Sequence, residues 1–171
     1  VTILPSGYAI INAEEVIQMS KPAIAGIFLI DARLLSSSKY LTIVNESLLK
    51  FHLKFSEAYM SLATFDSSLN TIMSFQKITM IPRLKLSITT APVKIFDAIG
   101  QIIEKSEWLL PVYDISQVYV WIASAPKDQG SQKYTLFDIA RMIEEKRNNS
   151  WKFYFPFARF EEISQETFQM I

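Results

Sequence analysis

Residues 84–109, LKLSITTAPVKIFDAIGQIIEKSEWL, change periodicity halfway along. Leu84, Leu86 and Ile88 alternate with Lys85, Ser87 and Thr89, the two-residue repeat of a strand with one buried face. Beyond Pro92, Phe96, Ile99, Ile102 and Ile103 recur at helical spacing, and Gln101, Glu104 and Lys105 fall mostly off that stripe. Proline suits a helix's first turn because the amide hydrogens there have no intrahelical acceptor. The stretch predicts a strand that finishes pairing and hands the chain to a helix covering the sheet. Gly100 inside that helix costs about 1 kcal/mol relative to alanine. Its expected use is close packing against the sheet.

Working outward, residues 13–19 have helical spacing after Asn12, and residues 24–35 read as a buried strand bounded by three serines. In residues 49–55, LKFHLKF, every second side chain is apolar, which predicts another strand. Residues 59–65 and 71–80 flank a polar turn and predict an antiparallel hairpin, with Pro82 breaking the ladder or marking an edge. A second helix is expected over residues 136–146, capped by Asp138 with Phe137 packing onto Met142. Aromatic-rich strands follow the two helices at residues 109–124 and 151–160. No linker divides the chain. The expectation is a single α+β domain over residues 1–171, an antiparallel β-sheet covered by two or three helices.

Composition limits the chemistry. With no cysteine and one histidine, thiol nucleophiles and disulfides are excluded, and zinc or iron sites have little to work with. His52 shares its side of the predicted strand with Lys50 and Lys54, poor company for a general base. Adjacent acidic pairs such as Glu144–Glu145 diverge on a helix rather than converge on a substrate. Four glycines cannot assemble a phosphate loop, a dinucleotide fingerprint or a serine elbow. The sequence therefore predicts no enzyme, no catalytic or metal-ligating residue and no cofactor. No apolar run approaches the roughly 20 residues that span a bilayer, and no signal peptide is visible. Both features, with the missing cysteines, lead to an expected intracellular or virion location.

Charge sums to zero over the chain but not locally. Residues 33–94 carry eight basic groups against three acids, and residues 67–96 carry no acid at all. Lys50, Lys54, Lys77, Arg83, Lys85 and Lys94 form the candidate anionic-surface set; the alternative is a solvated face balanced elsewhere. If Lys50, Lys54, Arg83 and Lys85 project from one sheet face, an anionic membrane would attract them by roughly 4 kcal/mol in all. RNA or DNA would be held by the same charges, with steep salt dependence.

The order strand (LKLSITT), proline, Asp97, apolar helix, Trp108 and strand (VYVWIASA) resembles the central unit of rhabdovirus matrix proteins over about 42 of the 171 residues. The resemblance implies a self-associating protein that bridges a membrane and a nucleocapsid. Pro92, Asp97 and Trp108 then have structural parts only, beside the packing part expected of Gly100. A lysine-rich N-terminus and a Pro-Pro-x-Tyr motif are missing. The expected function is a non-enzymatic, self-assembling structural protein, with homo-oligomerisation absorbing the large apolar fraction. A small domain binding nucleic acid or an acidic partner is the alternative.

Overall fold

Nine residues, AIAGIFLID, make the strand β3 (Ala23–Asp31), and both of its faces are buried from Ala25 onward. Such a strand has no wet side, so it belongs at the centre of a sheet with helices on either face. The structure is a computed structural model describing residues 23–77 and 80–157, plus the backbone of a small hairpin, β1 (Thr2–Ile3) and β2 (Ala9–Ile10). After β3 come a 3₁₀ turn (Ala32–Ser36), α1 (Ser38–Lys54), β4 (Tyr59–Phe65) and β5 (Leu69–Lys77). An extended strap, residues 80–94, then leads to α2 (Ile95–Leu109) and a short 3₁₀ turn (Leu110–Tyr113). β6 (Ile115–Ala123), α3 (Leu136–Asn148) and β7 (Trp151–Tyr154) complete the described chain.

The five strands lie in the order β5-β4-β3-β6-β7. β3 pairs in parallel with both β4 and β6, β6 pairs in parallel with β7, and only β4–β5 is antiparallel. The fold is therefore α/β with a mostly parallel mixed sheet, which corrects the expected antiparallel one. The physical reason is in the connections. Each parallel neighbour needs a long crossover, and α1 and α3 supply crossovers from β3 to β4 and from β6 to β7. The β4–β5 hairpin is the predicted pairing that the structure reproduces, with β5 at Leu69–Lys77 where residues 71–80 were expected.

The alternating faces of β3 define two cores. Ala25, Ile27 and Leu29 stand beside Val118, Val120 and Ile122 of β6 and pack under α2 and α3. Phe28 and Ile30 join Met60 and Leu62 on the opposite face, under Val44 and Leu48 of α1. Gly26 is needed there because an added Cβ would collide with the Phe51 ring of α1. Burial at roughly 25 cal/mol per Å² makes these two layers the main source of stability.

Three further expectations change. Residues 49–55 belong to α1, not to a strand. Their alternation arose because two i,i+4 pairs lie on different sides of one helix: Phe51 and Phe55 turn toward the sheet, whereas Leu49 and Leu53 are exposed. Residues 84–90 are extended but pair with no strand, so Leu86 and Ile88 remain outside rather than in a sheet face. On α3 the N-cap is Thr135; Asp138 completes a capping box from the third helical position, and Phe137 is exposed instead of packing on Met142. The predicted helix at residues 13–19, and the end of the last predicted strand, lie outside the described residues.

Candidate functional site at the sheet's switch point

In an open parallel sheet, ligands meet the carboxyl ends of the strands where successive connections leave in opposite directions. That point here lies between β3 and β6, since the chain leaves β3 toward β4 and leaves β6 toward β7. Asp31 ends β3 with a fully buried side chain, and Ser124 and Ala125 follow β6 directly across from it. A buried carboxylate at a ligand-binding crevice is a strong candidate for chemistry.

It is already engaged. Arg33, two residues on, lays its guanidinium along the carboxylate, with Nη2 at 2.7 Å from Oδ2 and Nε at 3.0 and 3.1 Å from the two oxygens. The Arg33 amide donates to Oδ1 at 2.9 Å, and the Ala125 amide donates to Oδ2 at 3.0 Å. Ser124 Oγ lies 3.1 Å from Oδ2 and 2.8 Å from the Ala125 carbonyl. Arg33 Nη2 also reaches that carbonyl at 3.3 Å, so one side chain ties the ends of β3 and β6 together. Both carboxylate oxygens are consequently saturated with donors. Sequence reading missed this cluster. Its only signal was an acid closing a long apolar run with an arginine two residues later.

Two other acids organise the loops beside α2. Asp128 Oδ1 accepts the Ile95 and Phe96 amides at 2.8 and 3.4 Å and the Ser131 hydroxyl at 2.6 Å. Burial opposes its ionisation, but hydrogen bonds from Ser131, Ile95 and Phe96 outweigh that and hold its pKa below the ordinary carboxylate value. Asp97 returns the favour from α2, accepting the amides of Gln132, Lys133 and Tyr134 at 2.8 to 3.0 Å. The Tyr134 ring sits over Gly100, so that glycine serves a loop contact rather than the predicted sheet contact. Burial, then the hydrogen bond and charge of Glu104, push the Tyr134 hydroxyl up to about 12.

The remaining predicted residues are dispersed. Pro92 is exposed and precedes the helix by three positions, and Trp108 is 83% exposed on α2. Lys50 and Lys54 lie on α1, Arg83 and Lys85 on the strap, Lys94 at the N-cap of α2, and Lys77 at the far end of β5 beside Glu57. The single cationic sheet face does not exist, because the segments predicted to build it are a helix and an unpaired strap. Among the described residues, no three His, Cys, Asp or Glu side chains are grouped to hold a metal. No helix among them is long and apolar enough to cross a membrane.

A groove of about 610 Å³ runs between α1 and the strap. Leu41, Leu49, Leu84 and Leu86 supply apolar walls, and Glu46, Arg83 and Lys85 supply charge. Asn45 fastens the strap by accepting the Leu84 amide at 2.8 Å and donating to its carbonyl at 3.0 Å.

No family model matches the sequence, and no curated protein does. Among solved structures, one neighbour shares the fold and another is less similar. Proximal thread matrix protein 1 from the mussel byssus, with a zinc-occupied MIDAS motif, has a TM-score of 0.56 at 11% identity over 83% of this chain and 41% of that one. The ArnB paralog VWA2 from Sulfolobus acidocaldarius has a TM-score of 0.49 at 14% identity over 84% and 39%. The chain thus spans about two fifths of each of these neighbours.

Proposed function

We propose that this chain is a non-enzymatic interaction domain that associates with a second copy through the groove between α1 and the strap. One observation carries the reading: Leu53 is 72% and Leu86 is 61% exposed, with Leu49 and Ile88 also outside. Leu49 and Leu86 line the groove itself. Exposed apolar side chains at the lip of a groove are the kind of feature that contact surfaces use. Glu46 with Arg83 and Lys85 gives the groove both signs of charge, which a self-complementary contact can use.

A metal-dependent contact, suggested by the zinc-occupied motif of the mussel protein, does not fit these residues. A cation at the switch point would need the Asp31 oxygens, and those already hold a guanidinium, a hydroxyl and two amides. The exposed Lys50, Lys54, Arg83 and Lys85 support a second reading, an acidic partner or anionic surface meeting α1 and the strap.

Sedimentation velocity across a concentration series separates the two. Self-association that persists in moderate salt and is abolished by Leu49→Glu with Leu86→Glu is the expected result. A strict monomer at high micromolar concentration overturns it. Salt-sensitive binding to RNA or phosphatidylserine vesicles by that monomer would establish the second reading instead.

A further inference from the structure

We propose that the Arg33 guanidinium is the resident cation of the switch point, occupying a position that would otherwise take a hydrated divalent metal ion on Asp31 and Ser124. A fully buried carboxylate requires compensating charge, since an unpaired one is too costly to keep in a core. Here the chain supplies that charge from residue 33.

The geometry favours arginine specifically. A planar fork places two nitrogens on the two carboxylate oxygens at once, which an ammonium cannot do. The backbone amide of the same residue also binds Oδ1, so the 3₁₀ turn holds the side chain in register with its target. Nη2 meets the Ala125 carbonyl as well, bridging two strands much as a metal ion bridges ligands from separate loops. Without the guanidinium, Asp31 Oδ1 keeps the Arg33 amide and Oδ2 keeps the Ala125 amide, and the lone pairs that the guanidinium held, with Ser124 Oγ, would remain as hard oxygen donors. Magnesium and manganese accept such partial sets because they keep several waters. The Arg33 side chain is 22% exposed, so its removal would open the position to solvent.

The test compares wild type, Arg33→Ala, Arg33→Lys, Asp31→Asn and Arg33→Ala combined with Asp31→Asn, using manganese chloride as the probe. Equilibrium dialysis and thermal unfolding in EDTA or manganese are the readouts. Wild type and Arg33→Lys should take up no stoichiometric manganese and melt at the same temperature in both. Arg33→Ala should melt roughly 6 to 15 °C lower in EDTA, then recover part of that loss with one equivalent of manganese. The double variant should show no recovery. If Arg33→Ala cannot fold in EDTA, refolding in manganese counts as the same result. The proposal is overturned if wild type binds manganese and Asp31→Asn alone abolishes that binding. It is equally overturned if Arg33→Ala neither binds the ion nor responds to it, folded or unfolded.

Discussion

Asp97 and Asp128 show how much of this architecture rests on single carboxylates placed among backbone amides. Asp128 caps α2 from a loop more than thirty residues away, and Asp97 on α2 holds the loop that leads to α3. Replacing Asp128 by alanine should cost about 1 to 3 kcal/mol, the usual range for a lost cap with buried donors. Its folded pKa lies below its ordinary value of 3.8, so its contribution is present above that value. The contribution disappears as pH falls through the lower folded value. Urea unfolding from pH 6 down to pH 3 checks this: the difference between wild type and Asp128→Asn should shrink at the acid end. Gly100 carries a steric requirement instead. An added Cβ would stand 2.6 Å from the Tyr134 ring, so Gly100→Ala should destabilise by about 1 to 3 kcal/mol despite alanine's better helix propensity. Combining it with Tyr134→Ala should make the effect of the added methyl smaller than in wild type, measured as a double-mutant cycle.

At the scale of elements, the helix α1 and the strap form one unit. The strap has no strand beside it, so its backbone groups need partners from side chains or water. Asn45 provides both for Leu84, behaving as a one-residue substitute for a neighbouring strand, and the Leu35 carbonyl accepts from Ser87 at 3.0 Å. Asn45→Ala should therefore loosen the strap while leaving the sheet intact. Faster amide exchange confined to residues 80–90, with a global stability loss of about 1 to 2 kcal/mol, is the expected outcome. Uniform acceleration across β3, β4 and β6 would show that Asn45 supports the whole fold instead. The same unit explains why residues 49–55 mislead. Seven residues of alternating character fit a strand, but the full stripe Leu41, Val44, Leu48, Phe51 and Phe55 has helical spacing. The longer window holds the better signal.

For the whole molecule, local pattern and global arrangement divide cleanly. The helical stripes of α2 and α3, the buried run of β3 and the β4–β5 hairpin were all legible, because each depends on neighbours within about ten residues. Which strands lie side by side was not readable from periodicity, because parallel pairing joins segments separated by a whole helix and leaves no turn signature between them. The doubly apolar run AIAGIFLI was a clue to a central strand, and its meaning depended on knowing that helices cover both faces. The candidate site is the extreme case. Asp31 and Arg33 are visible as neighbours, but Ser124 and Ala125 lie more than ninety residues away and meet them only because β6 pairs with β3. Sequence alone determined β3, the β4–β5 hairpin, α2, α3 and their apolar faces, but it misread α1 and the strap as strands. Tertiary structure decided that the Asp31–Arg33 pair would be buried and closed over by Ser124 and Ala125, since that depends on which strand ends the sheet brings together.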